Sequence, residues 1–314
     1  MHQKAAPQIS GYLIRMAALV AVFGALSSAA STATLGATLD RIRDAGKITL
    51  GYETDAQPFS FADESGKPTG YSVALCERVV EQVKRELGKA DLVVEWVPVE
   101  LGDRLRTMQE KKVDLLCGAD SVTLARRTAV GFSLPIFSSG IGALLRADAP
   151  LSLRTILTYG QPPSQPIWRG YPARTVLGEK TFAVVKGTRS EKWLEERINT
   201  FQLTAKVLPV DSHEVGVKSV LDAKADVFFA DLPVLLTAAL QNSSSGSLTV
   251  IDRRFTNEPI ALSLERGDED FRLTVDRALS EFYPTKEFRD LASKWFGVFA
   301  PNVERFVDQT ALPQ

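Results

Sequence analysis

Residues 113–133 read VDLLCGADSVTLARRTAVGFS, and the fold turns on how this stretch changes character. Its first residues, VDLL, have the composition of a short buried strand. The chain then breaks at Gly118, passes through small and polar residues, and restarts as a helix carrying Arg126. A strand that ends in a turn before a helix leaves backbone N–H groups free at its carboxyl end, where open α/β sheets bind their ligands. Hydroxyls of Ser121 and Thr123 and the Arg126 guanidinium fall in or just after this turn. They can hold a carboxylate: the guanidinium fork takes two oxygens and backbone N–H groups take what remains. An ordinary strand–turn–helix with a surface arginine would read the same way, so the surrounding chain decides.

Upstream, KITLG at 47–51 predicts a strand, 72–87 a helix with apolar spacing near 3.6, DLVVEWV at 91–97 a second strand and 102–112 a helix. This is the βαβ alternation of a parallel sheet covered by helices. Residues 132–135 break the rhythm, and GIGALLR at 140–146 reads as a strand leaving the first lobe. Residues 149–178, with prolines at 150, 162, 163, 166 and 172, read as an irregular surface excursion. The alternation then resumes with TFAVV at 181–185, the turn KGTRS, a helix, a strand near 203–208, a helix from His213 and the strand ADVFFA ending at Asp231. The expected architecture is α/β with two lobes. Lobe 1 comprises 34–138 and 258–297, and lobe 2 comprises 139–257 and is inserted into it. The two hinge crossovers lie near 137–142 and 256–262, and 298–314 is left as a loosely held tail. Two crossovers between α/β lobes make a hinge, and a hinge makes a cleft.

The 314 residues are 45% apolar and 24% charged with a net charge of −1, which suits globular lobes and offers no basic block for a nucleic-acid backbone. Residues 1–33 stand apart. Lys4 and Arg15 are the charged side chains before Asp40, MAALVAVFGAL fills 16–26, and Ser28-Ala29-Ala30 places small residues at a cleavage site. This predicts a secretory signal peptide and a periplasmic location. Export permits a disulfide between Cys76 and Cys117, but Cys76 falls on an apolar helix face and Cys117 ends a buried strand, so both read as buried core cysteines.

With these segments in order, the chain resembles the periplasmic polar-amino-acid-binding proteins of ABC importers. The markers are KITLGYETDAQPFSF, GKPTGYSVALCERVVEQVKRELG and VDLLCGADSVTLARRTAVGFSLPIF in the first lobe. VVKGTRSEKWL and ADVFFADLPVLL follow in the second, and LASKWFG closes the fold. The resemblance runs from about Leu39 to Gly297 and is nearest the glutamate/aspartate-binding subgroup. It implies a type II periplasmic-binding-protein fold and a monomer that hands a free L-amino acid to a membrane permease, with no cofactor and no metal. It also implies roles. Arg126, with the backbone at Ser121, would clamp the α-carboxylate, and the turn Thr188-Arg189-Ser190 would add N–H groups from the other lobe. Asp231 would pair with the α-ammonium beside the Ala119 carbonyl and the Ser121 hydroxyl. Arg104 and His213 match positions that read a distal acidic group.

Three departures bear on the side-chain pocket. Glu53 stands where that subgroup has an arginine, Ala56 where many relatives stack an aromatic ring, and Leu101 where the subgroup has a small hydroxyl. A carboxylate at Glu53 would repel an acidic ligand side chain unless Arg104 or Arg106 neutralises it. The ligand expected on balance is a polar amino acid of the glutamate, aspartate or glutamine type. For catalysis the sequence offers little: the histidines are His2 and His213, and no HExxH or CxxC spacing occurs. The rival reading is a periplasmic cyclohexadienyl dehydratase on the same fold. In that family an acidic residue shortly after the Asp231 position acts as general acid, whereas Leu232, Pro233 and Val234 stand here.

Overall fold

The structure is a computed structural model that describes residues 37–160, 172–242 and 246–313. The expected signal peptide and the stretch 161–171 of the excursion lie outside the described residues. The described residues form one compact unit.

The first lobe contributes β1 (Lys47–Glu53), the short strands β2 (Asp55–Ala56), β3 (Ser60–Ala62) and β4 (Pro68–Thr69) of a small separate sheet, then β5 (Val93–Val99), β6 (Leu115–Ser121) and β7 (Gly131–Ser139). The second contributes β8 (Ile141–Arg146), β9 (Thr181–Val185), β10 (Lys206–Val210), β11 (Val227–Asp231) and β12 (Leu248–Val250). The chain returns to the first lobe through β13 (Glu258–Leu264), giving sheets ordered β5-β1-β6-β13-β7 and β10-β9-β11-β8-β12. This is the two-lobe, type II arrangement with the second lobe inserted. Strand β6 is buried along its whole length, as a central strand covered on both faces must be. Pro135 lies in β7, where its missing N–H is tolerated because β7 is an edge strand. The two crossovers touch: Ile141 N–H donates to Thr256 Oγ1 at 2.9 Å.

The helix Tyr71–Leu87 buries Leu75, Cys76, Val79, Val80 and Val83 against the first sheet and stops at Gly88, which sits at φ 64°. Cys76 and Cys117 form a disulfide, the alternative that export permits. Each cysteine is fully buried, as the sequence implies. The sequence does not reveal that the helix packs on β6 with the two Cα atoms 6.1 Å apart, within disulfide reach.

Two other stretches are more regular than expected. Within the excursion, Leu151–Tyr159 and Pro172–Gly178 are helices. Leu153 and Leu157, one helical turn apart, are buried in the second lobe's core, and Pro150 and Pro172 fall at helix starts, where no N–H is needed. The supposed tail contains a helix, Ala300–Thr310, whose Ala300, Val303 and Val307 are buried in the first lobe's core. Their i, i+3, i+7 spacing is the signal that reading missed.

Candidate functional site

Three elements of the first lobe place charged groups at the carboxyl ends of its central strands. Strand β6 ends at Ser121. Thr123 caps the short helix Leu124–Arg127 by accepting the Arg126 N–H at 3.1 Å, and the Arg126 guanidinium turns back to donate to the Ser121 carbonyl at 2.9 Å. No carboxylate among the described residues forms an ion pair with Arg126. Burial and the neighbouring Arg104 charge hold its pKa below the usual guanidinium value.

Glu53 ends β1 with its carboxyl buried, at 1% exposure, and Gly118 makes room for it: a Cβ there would lie 2.7 Å from Glu53 Oε1. Glu53 Oε2 accepts the Ala119 N–H at 3.4 Å, while Oε1 has no hydrogen-bond partner. Arg104, on the helix Arg104–Gln109, donates from Nε to Asp120 Oδ1 at 2.6 Å, lies 3.4 Å from Glu53 Oε1, and also donates to the Leu101 carbonyl. Asp120 is itself fully buried and accepts the Ser263 hydroxyl at 2.8 Å. Burial pushes Glu53 up to about 7. Arg104 pulls the other way and the Asp120 charge adds to the rise.

From the second lobe come Asp231, His213 and the 187–190 turn. Asp231 closes β11 at the start of the helix Leu232–Gln241 but makes no side-chain cap; its Oδ1 accepts the Ser139 hydroxyl at 3.1 Å, across the hinge. Burial and the Glu258 charge raise it to about 6, against the pull of Ser139, His213 and Arg126. His213 begins the helix His213–Leu221, capped by Ser212. Its backbone N–H donates to Asp55 Oδ2 at 2.6 Å, and its Nδ1 lies 3.6 Å from Asp55 Oδ1, so this pair bridges the lobes. Burial alone would lower the imidazole pKa, but the Asp55, Glu53 and Asp231 carboxylates outweigh it and hold it above the usual value. Thr188 caps the helix Arg189–Phe201, accepting the Glu191 N–H at 3.4 Å and donating to the Val185 carbonyl at 2.6 Å. Ser190 is buried, and Arg189 reaches across to Glu258 Oε1 at 3.5 Å.

Arg126, Asp231, Arg104, His213 and Glu53 therefore feel one another's charge between the lobes, with Ser121 and Ala119 on the same strand end. Thr188 has a cap role that engages its hydroxyl within its own lobe. Sequence reasoning missed Asp55, Asp120 and Glu258. Their signal is a carboxylate within or at the end of an otherwise apolar strand; buried charges of that kind need partners. Leu101 also gains an account: it packs into the second lobe's core cluster with Leu144, Ala183 and Val185.

The site and fold can be set beside known proteins. The family model for bacterial extracellular solute-binding proteins, family 3, matches residues 48–298. The L-glutamate/L-aspartate-binding protein of Pseudomonas aeruginosa is 28% identical over 88% of this chain and 85% of its own. The glutamate/aspartate import solute-binding protein of Salmonella typhimurium is 24% identical over 83% and 80% respectively. Among solved structures, the ancestral amino acid-binding protein AncCDT-1, described as a precursor of cyclohexadienyl dehydratase, superposes with a TM-score of 0.67 at 23% identity, covering 82% of this chain and 99% of that one. At that identity the superposition speaks for the fold alone.

Proposed function

This chain belongs to the bacterial extracellular solute-binding proteins, family 3, and from that premise we propose that it captures a free polar α-amino acid between its lobes outside the cytoplasm and delivers it to the permease of an ABC importer. The observation that carries this reading is a pair of charges left over. Among the described residues, Arg126 has only the Ser121 carbonyl as side-chain partner, and Asp231 has only the Ser139 hydroxyl. They come from opposite lobes and lie close enough for each charge to be felt by the other. A zwitterion supplies what both lack, a carboxylate for Arg126 and an ammonium for Asp231. Contacts to both are complete only when the lobes meet, so binding selects the closed arrangement. On this reading Ser121 and the Ala119 carbonyl flank the head group and the N–H groups of Arg189 and Ser190 serve it from the second lobe, whereas the Thr188 N–H already donates to the Val185 carbonyl at 3.4 Å. The names of the relatives support an amino acid as ligand.

The test is a thermal-shift screen of the purified protein against the twenty amino acids, with prephenate and arogenate alongside. A ligand that binds only the folded state raises Tm by mass action. A shift with one or a few polar amino acids is expected. Turnover of prephenate or arogenate with no shift for any amino acid would replace the receptor with a dehydratase.

A further inference from the structure

The side-chain end of the same site follows from which charges are already spent, and this step rests on the amino-acid-binding reading above. Each cation around the site except Arg126 already has a carboxylate of the protein beside it, among the described residues. His213 has Asp55 at 3.6 Å, Arg189 has Glu258 at 3.5 Å, and Arg104 has Asp120 at 2.6 Å and Glu53 at 3.4 Å. The one unspent cation suffices for one ligand carboxylate, the α-carboxylate. An aspartate or glutamate would bring a second.

We propose that Asp120 sets the selectivity of the side-chain pocket. By occupying Arg104 it leaves Glu53 as the group the ligand meets, so the site takes an amino acid whose side chain ends in N–H donors, an amide or a cation, and rejects one ending in a carboxylate. Asp120 is fixed for this role. It is fully buried, and while one oxygen takes the Arg104 Nε–H the other takes the Ser263 hydroxyl at 2.8 Å. Arg104 is held in turn, because its guanidinium also donates to the Leu101 carbonyl. Glu53 is the complement. It is 1% exposed, its Oε1 has no hydrogen-bond partner among the described residues, and its Oε2 receives one long bond of 3.4 Å. A buried acceptor left unmade is costly, and an N–H from a ligand would satisfy it. Once Glu53 is ionised, above about pH 7, Glu53 and Asp120 against Arg104 leave one negative charge at this end, which attracts a cation, accepts an amide and repels a carboxylate.

Calorimetric titration of wild type, Asp120→Asn and Glu53→Gln with glutamine, arginine and glutamate tests this. Wild type should bind glutamine or arginine at least about tenfold more tightly than glutamate. Asp120→Asn frees Arg104 and should shift the glutamate-to-glutamine affinity ratio toward glutamate by about tenfold or more, a change that general loosening would not produce. Glu53→Gln, nearly isosteric, should cost arginine more than glutamine, and it decides the matter together with the wild-type ratios should Asp120→Asn fail to fold. A wild type that prefers glutamate or aspartate overturns the proposal while leaving the receptor reading intact, as do variants with wild-type ratios. A wild type that binds no amino acid overturns both.

Discussion

Asp231 holds a proton up to about pH 6 because burial and the Glu258 charge oppose its ionisation. Pairing with an ammonium requires the ionised form, so binding has to expel that proton. The Asp231 contribution to affinity should therefore be flat above about pH 7 and fall by about tenfold per unit once the pH drops below the Asp231 pKa. Titrations at several pH values would show it, and an Asp231→Asn protein should bind weakly with that slope gone; a slope that survives the substitution assigns the proton elsewhere. For the free protein the sign is opposite. A carboxyl raised by folding binds protons better in the native state, so Asp231 costs stability as pH rises from the ordinary carboxylate range through about 6. Arg126→Ala should weaken binding by roughly 2–5 kcal/mol, because the ligand carboxylate would be enclosed without its cation; wild-type affinity would refute the clamp. At this scale the sequence makes a residue's local setting legible, as with Arg126 in the helix after a strand and turn and Asp231 at a strand end. It is not legible where the partner comes from a distant strand. Nothing near Arg104 in sequence announces that Asp120 and Ser263 hold it.

The elements were legible wherever apolar period and turn chemistry agreed, as in the helix Tyr71–Leu87 with its terminal Gly88. Proline density misleads where it suggests irregularity. Pro150 and Pro172 mark helix starts rather than loops, because the first helical turn has N–H groups to spare. The disulfide stays open in the sequence for a different reason: pairing depends on which face of the helix meets which strand, a property of packing and not of either segment alone. It joins helix and β6 across a sequence separation of 41 residues. Closing a loop of that size restricts the unfolded chain by roughly 4 kcal/mol on the chain-entropy estimate. Replacing both cysteines by alanine should therefore lower the unfolding free energy by roughly 2–4 kcal/mol in a denaturant titration under non-reducing conditions. Because Cys117 lies directly before Gly118, the glycine that seats Glu53, the same variant should also bind ligand less tightly. A double variant with unchanged midpoint would mean that the helix–strand packing alone fixes this edge of the site.

For the whole molecule, function depends on the lobes meeting, and at one point of contact two glycines face each other. Gly187 of the second lobe faces Gly102 of the first, so that a Cβ on Gly187 would lie 2.9 Å from the Gly102 Cα and 3.2 Å from its carbonyl oxygen. Both neighbours are backbone and cannot swing aside. Gly187 also sits at φ +70°, a conformation in which an L side chain costs about 1–2 kcal/mol whether or not the lobes touch. The two costs separate by state: the backbone strain is common to open and closed forms, whereas the clash exists only when they are closed. Gly187→Ala should consequently shift the balance toward separated lobes and reduce apparent affinity in proportion to the lost closed fraction, by about tenfold or more. Its loss of stability in the absence of ligand should stay near the strain term. Gly102→Ala is the control, since a Cβ there meets nothing nearer than the Lys186 carbonyl oxygen at 3.8 Å. Small-angle scattering with saturating ligand should show Gly102→Ala as compact as wild type and Gly187→Ala more extended. Equal affinity and equal compaction for the two variants would mean that ligand binding does not require the lobes to approach this closely, and that the cross-lobe pairs Asp55–His213 and Glu258–Arg189 are formed by some looser closure.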